Sequence, residues 1–395
     1  MRGTVRRGIA IGAAVIATAA VYLLLVRDEG PEADHQRAAG GEDVPAGVRA
    51  LVAGLTPEQK VDGIMLVGFE GTDSASPVME TLSGRQLGGV VVRASNWLDA
   101  TQGAALVDEL RSAAAAGGEV PPLVATPQEG GEYRALADLP PESRELDVGD
   151  LGDPELALEW GRETGEALRD AGFDMNLAPI ADVATLDSPI ADRAFSDDAN
   201  VTAQLTAAAV RGCAEAEIAC VARHFPGLGA ASSSTDEGPA TVSLDAATLA
   251  SRDLAPFQAA IAEGVPAVML SHAFYAAYDP VTPGSLSPEV ATGLLRDQLG
   301  FTGVAITDDL GTGAVRATTG TRPAAIVAVN AGADMLLVES PDEAEGVREA
   351  LLGAVGSGEI PAERIDQAVG RVLELKRALG LIGEEPDPDP DPEPE

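Results

Sequence analysis

The sequence predicts an α/β protein: a (β/α)8 TIM-like barrel of a single domain, with an apolar N-terminal anchor before it and a disordered acidic tail after it. Three observations carry this. Short apolar runs recur between residues 46 and 383, as strands buried on both faces of a parallel sheet require. Helical stretches separate them. And the runs number eight, which closes a parallel barrel. An open α/β sheet is the alternative, but the chain lacks a Gly-x-Gly-x-x-Gly dinucleotide fingerprint.

The runs fall at residues 64–69 (IMLVGF), 89–93 (GVVVR), 123–125 (LVA), 175–178 (MNLA), 218–224 (IACVARH), 267–272 (AVMLSH), 303–307 (GVAIT) and 335–338 (MLLV). Helix signals lie between them. Ser287 and Pro288 read as N-cap and first-turn proline of a helix over ATGLLRDQLG, which Gly300 closes. Gly264 and Gly332 also follow helical patterns and precede strands. Aromatic residues make up only 3 % of the chain, so the core must be built from Ala, Val, Leu and Ile.

The ends differ from this body. Arg2, Arg6 and Arg7 precede an uncharged stretch over residues 8–26, near the lower length limit of a membrane-spanning helix. No small-x-small cleavage pattern and no lipid-accepting cysteine follow it, so residues 1–27 are expected to be an uncleaved anchor rather than a cleaved signal. The basic flank places the body outside the cytoplasm, anchored by the N-terminus or secreted. Residues 28–45 are polar and Gly/Pro-bearing, a flexible tether to the barrel at 46–383. Residues 384–395 (EEPDPDPDPEPE) alternate acid with proline and read as an extended, disordered tail.

With 63 acidic and 26 basic residues the net charge is −37, which argues against a nucleic-acid partner and for solubility. Without a Cys-x-x-Cys pair, and with only three histidines, a structural zinc site is not expected. Nor is any cofactor. Cys213 and Cys220 fit either one disulfide or two small core residues.

A barrel of this kind works at the C-terminal ends of its strands. There the chain places Glu70, Thr72, Ser95, Asn96, residues 128–131, Asp182, residues 224–229, His272, Asp308, Asp309 and Glu339. Carboxylates, histidines and glycine-rich turns converge on one face.

The segments PPLVATPQEGG, FDMNLAPIADV, RAFSDD, ARHFPGLG, AVMLSHAFYAAYDPVTPGSLSP, GFTGVAITDDLGTGAV and AGADMLLV resemble, in order, the third to eighth strand segments of the family 3 glycoside hydrolases. The resemblance spans nearly the whole body and points to the single-domain branch that includes bacterial N-acetyl-β-glucosaminidases. It implies a retaining mechanism on a β-linked sugar, with Asp308 as nucleophile. Asp309 better suits capping of the following helix. The resemblance also implies substrate contacts from Arg193, Arg223 and His224, Arg223 standing where the family usually has Lys. His272 ends the sixth strand and is expected to line the pocket.

The chain departs from the family pattern in three places. The loop after HFPG carries Ser234-Thr235-Asp236 where the branch has Asp-x-His, whose histidine is the acid/base. Asp236 falls in that slot and could serve, given burial beside Asp308 to raise its pKa. Pro127 stands where the family has a hydroxyl-binding Asp, and Glu132 and Ala135 replace arginines. Two functions from different classes follow. One is an extracytoplasmic β-N-acetylhexosaminidase-like hydrolase of carbohydrate, including cell-wall sugar. The other is a membrane-tethered, non-catalytic sugar-binding protein on the same barrel. Phosphorolysis, with phosphate as acceptor, is a third reading.

Overall fold

The computed structural model describes residues 45–383. The expected anchor at residues 1–27, nearly all of the expected tether and the expected tail at 384–395 lie outside the described residues. Among the described residues no helix is long and apolar enough to cross a membrane.

All eight apolar runs form strands, at Met65–Gly68 (β1), Gly89–Val91 (β2), Leu123–Thr126 (β3), Met175–Asn176 (β4), Ala219–Phe225 (β5), Ala267–Leu270 (β6), Val304–Thr307 (β7) and Leu336–Val338 (β8). They pair in parallel in chain order from β1 to β7, and β8 joins β1. An Ile306–Met335 bridge and the Thr307 N–H, which donates to the Met335 carbonyl at 3.0 Å, close β7 against β8.

Strand side chains alternate between two apolar layers, as a period of two demands. Leu66, Val91, Met175, Val221, Ile306 and Leu337 fill the barrel interior. Met65, Val90, Val124, Cys220, Val268 and Leu336 face the surrounding helices. Cys213 packs in that outer layer with Cys220, and both are free, buried thiols. The glycines expected between helix and strand, Gly264, Gly300 and Gly332, all have positive φ (78°, 70° and 125°). The helix expected after Ser287-Pro288 runs over Glu289–Gln298 with π-type hydrogen bonding, and Ser287 meets it by donating to the Glu289 carboxylate at 3.0 Å rather than by capping a backbone N–H.

The far end of the barrel is closed by the last helix, Ala362–Ala378, whose Val372 and Leu375 join the interior layer. Asp334 fastens this plug. It is fully buried, just ahead of β8, and accepts from Arg296 at 2.5 Å, Arg364 at 2.8 Å and Arg371 at 2.9 Å. Its burial alone would raise the carboxyl pKa, but Arg296, Arg371 and Arg364 outweigh that and hold it below the ordinary value of 3.8.

A group depressed in the folded state contributes stability that is present above the unfolded pKa and lost as pH falls through the folded one. Asp334→Ala should therefore cost about 3–5 kcal/mol at neutral pH, because it strands buried guanidinium charge. The gap to wild type should narrow below about pH 4, as checked by urea unfolding across pH.

Candidate active site

The alternation that fills the barrel also builds its mouth. Two residues beyond the interior positions Val91, Val221, Ile306 and Leu337 come Arg93, Arg223, Asp308 and Glu339. All four line a cavity of about 510 Å³ at the C-terminal ends of the strands. β1 ends instead in Gly68, where a Cβ would lie 2.2 Å from the Glu339 carbonyl oxygen.

Asp308 is half-buried at the end of β7. Burial pushes its carboxyl up, but the neighbouring His224, His272 and Arg223 and the Asp309 N–H outweigh this and hold it below 3.8. The N–H of Asp309 donates to Asp308 Oδ1 at 2.8 Å. Asp309 has the opposite bias: burial, with the adjacent Asp308 charge, raises it to about 6. Its Oδ1 accepts from the N–H groups of Gly311 (3.1 Å) and Glu339 (3.0 Å). Asp309 thus clamps the turns after β7 and β8. It does not cap the next helix, Gly313–Thr318, as the sequence suggested.

On β5 a register irregularity between Arg223 and Phe225 brings the successive residues Arg223 and His224 both to the cavity. Asp182, fully buried, accepts from His224 Nδ1 at 2.8 Å, the His224 N–H at 3.1 Å and the Leu228 N–H at 2.6 Å. The segment carrying Asp182 is itself held from below, where the buried Glu145 carboxyl accepts from the Ile180 N–H at 3.0 Å.

Arg223 is nine-tenths buried, and burial lowers its guanidinium to about 10. Glu129 is its counter-ion and also takes a two-pronged contact from Arg193, at 2.8 and 2.7 Å. The Arg193 guanidinium lies 5.7 Å from the centre of the Tyr133 ring, whose hydroxyl bonds Asp192. Gln128 pins the loop carrying Glu129 and Tyr133: its Nε2 donates to the carbonyls of Leu136 (3.0 Å) and Pro140 (2.9 Å).

The loop over residues 227–240, rich in Gly, Ser and Ala, is tied down. Gly313 N–H donates to the Asp236 carbonyl at 2.8 Å, Ala314 N–H to that of Thr235 at 3.0 Å, and Ala231 bridges Val242. This places Asp236 on the cavity rim, exposed rather than buried beside Asp308. The burial its acid/base role called for is therefore missing, although its charge reaches Arg93 and Arg223.

Of the residues expected to form the site, the structure brings Asp308, Asp236, Arg193, Arg223 and His224 to one cavity. His272 is the correction. It is fully buried, with Nδ1 2.6 Å from Ser285 Oγ and Nε2 3.0 Å from the Asp309 carbonyl, so it braces the Asp308–Asp309 turn from behind instead of lining the pocket. Glu129 and Glu339 were marked only by their place after strands, with no role assigned, and Arg93 and Tyr133 were not singled out. Arg93 and Glu339 form an ion pair across the mouth. Pro127, Glu132 and Ala135, where the resemblance marked lost polar groups, line the same cavity.

A closed parallel barrel whose strand ends gather an ionised carboxylate, a carboxylate-held histidine and paired guanidiniums is the scaffold of a carbohydrate-processing family. The model of the glycosyl hydrolase family 3 N-terminal domain matches residues 56–375, and the chain belongs to that family. It is 32 % identical over 330 residues to a β-hexosaminidase of Stenotrophomonas maltophilia (strain K279a), covering 81 % of this chain and 91 % of that one. Among solved structures it is similar to a family 3 β-N-acetylglucosaminidase from Paenibacillus sp. str. FPU-7, with TM-score 0.81 and 35 % identity, covering 85 % of this chain and 65 % of that one. It is also similar to a β-N-acetylhexosaminidase from Beutenbergia cavernae DSM 12333, with TM-score 0.74 and 32 % identity, covering 82 % and 99 %.

Because Asp182 fixes His224 and the Leu228 turn together, Asp182→Ala should lower kcat/KM about a hundredfold through misplacement of His224. A substrate assay beside a thermal melt checks this, since the loss should exceed what the unfolded fraction explains.

Proposed function

We propose that this chain is a retaining β-glycoside hydrolase that acts on β-linked N-acetylhexosaminides, with Asp308 as nucleophile. The observation that carries the reading is the placement of Asp308, which faces a cavity lined by Arg93, Arg223 and His224 and whose carboxyl its surroundings hold below its ordinary value. Its oxygen attacks the anomeric carbon as the bond to the leaving oxygen breaks, and a glycosyl ester forms. Water then attacks the same carbon and frees Asp308. Arg223 and His224 hold the ring's hydroxyls and stabilise charge as it shifts. The names of the similar proteins support the sugar class.

Proton donation to the leaving oxygen is assigned to Asp236 on its place in the loop alone, since it is exposed rather than buried. It lines the cavity from the rim, the side from which a leaving group departs to solvent. A non-catalytic sugar-binding role is the weaker reading, because the similar proteins are named as hexosaminidases and N-acetylglucosaminidases. The reading also keeps the body outside the cytoplasm, joined to the membrane by residues 1–27, on the strength of Arg2, Arg6, Arg7 and the apolar stretch after them.

Asp308→Asn should reduce hydrolysis of an aryl N-acetyl-β-glucosaminide by more than about a thousandfold without loss of fold. In the wild type the acid limb of kcat/KM should lie below about pH 4, because a depressed carboxyl stays ionised above that point. Asp236→Asn should cost about 10²–10⁴-fold on substrates with poor leaving groups and little on a dinitrophenyl glycoside, which needs no proton. Equal losses on both would remove Asp236 from the acid/base role.

A further inference from the structure

We infer that Arg93 and Glu339 form a hydroxyl-reading pair for the sugar ring that Asp308 attacks, and so set which sugars the site accepts. This rests on the hydrolase reading and deepens it. The two side chains rise from β2 and β8, on either side of β1, and β1 ends in Gly68 with no side chain to offer. The pair spans that open sector and lines the same cavity as Asp308.

Its exposure separates it from the ion pairs that hold the fold. Asp334 and its arginines are shut off from solvent, at 0 % against 8–13 %. The side chains of Arg93 and Glu339 are 33 % and 31 % exposed, and what they are exposed to is the cavity. Arg93 Nε is shielded from water and has no hydrogen-bond partner. The carboxylates of Asp309, Asp308 and Asp236 all act on Arg93, so the pair stands at the reacting end of the cavity.

The chemistry of the pair suits a sugar. An ionised carboxylate only accepts and a guanidinium only donates. A ring hydroxyl does both, so one hydroxyl, or two neighbours, can donate to Glu339 while accepting from Arg93. The pair's own charges balance, which matches a neutral polyol better than a sugar bearing its own charge.

The test is a substrate-by-variant cycle. Wild type, Glu339→Gln and Arg93→Lys, each shown folded by thermal melting, are assayed on an aryl N-acetyl-β-glucosaminide and its 3-, 4- and 6-deoxy forms. On the full substrate each variant should lose about ten- to a hundredfold in kcat/KM, the range of a hydrogen bond to a charged group. On the deoxy form lacking the hydroxyl that the pair reads, the loss should shrink to less than about threefold. The same loss on every substrate would overturn the inference and leave the pair a structural brace. If wild type hydrolyses none of them, the hydrolase reading fails on its own. The cycle is then run by calorimetry with free N-acetylglucosamine and its deoxy forms, where coupling to one hydroxyl upholds the pair's role and uniform loss rejects it.

Discussion

A carboxylate placed at the mouth of a closed apolar barrel must be matched by positive charge, and the rest of this site is arranged around that requirement. Asp308 follows Ile306 on the inward face of β7, so the geometry that packs the core also delivers a charge to partly desolvated surroundings. Burial alone would push its carboxyl up. Arg223 and His224 on β5 and His272 just after β6 surround it and hold its carboxyl down. Each needs support of its own. Glu129 balances Arg223, Asp182 orients His224, and Ser285 with the Asp309 carbonyl fixes His272. Those supports are set in turn by Arg193, Glu145 and Gln128.

This dependence explains what the sequence made legible. Strands buried on both faces appear as uninterrupted apolar runs, so all eight strands and the glycines before them could be read directly. Asp308, Arg223 and His224 could be placed because they lie in local segments that resemble a known family. Arg93 was harder, and Glu339 was marked only by its place after a strand. Runs such as VVV and MLLV are apolar at every position, so the pattern does not say which face turns inward, and only the closed barrel fixes that. Extending the alternation from Val91 and Leu337 would then have turned both toward the cavity. Asp182 and Glu145 act through contacts 42 and 35 residues away in sequence, which local pattern does not carry.

One expectation failed and one condition went unmet. His272 was read as pocket-lining because it ends a strand, and Asp236 was offered as acid/base on the condition of burial beside Asp308. Position along a strand does not fix which way a side chain points. His272 lies behind the turn that carries the nucleophile, held by both ring nitrogens. Asp236 is held out at the rim because its loop bonds through the backbone to Gly313 and Ala314. A Cβ on Gly313 would come within 2.3 Å of the Glu237 carbonyl oxygen, so that docking depends on a glycine.

The central claim is a covalent step at Asp308, and trapping tests it most directly. The protein is incubated with a 5-fluoro-N-acetylglucosaminyl fluoride, then digested and examined by peptide mass spectrometry. A single glycosyl adduct on the peptide bearing Asp308, absent in Asp308→Asn, is the expected result. Hydrolysis that proceeds with no adduct and releases the inverted anomer would contradict it, because water would then attack the sugar without a glycosyl ester on this residue.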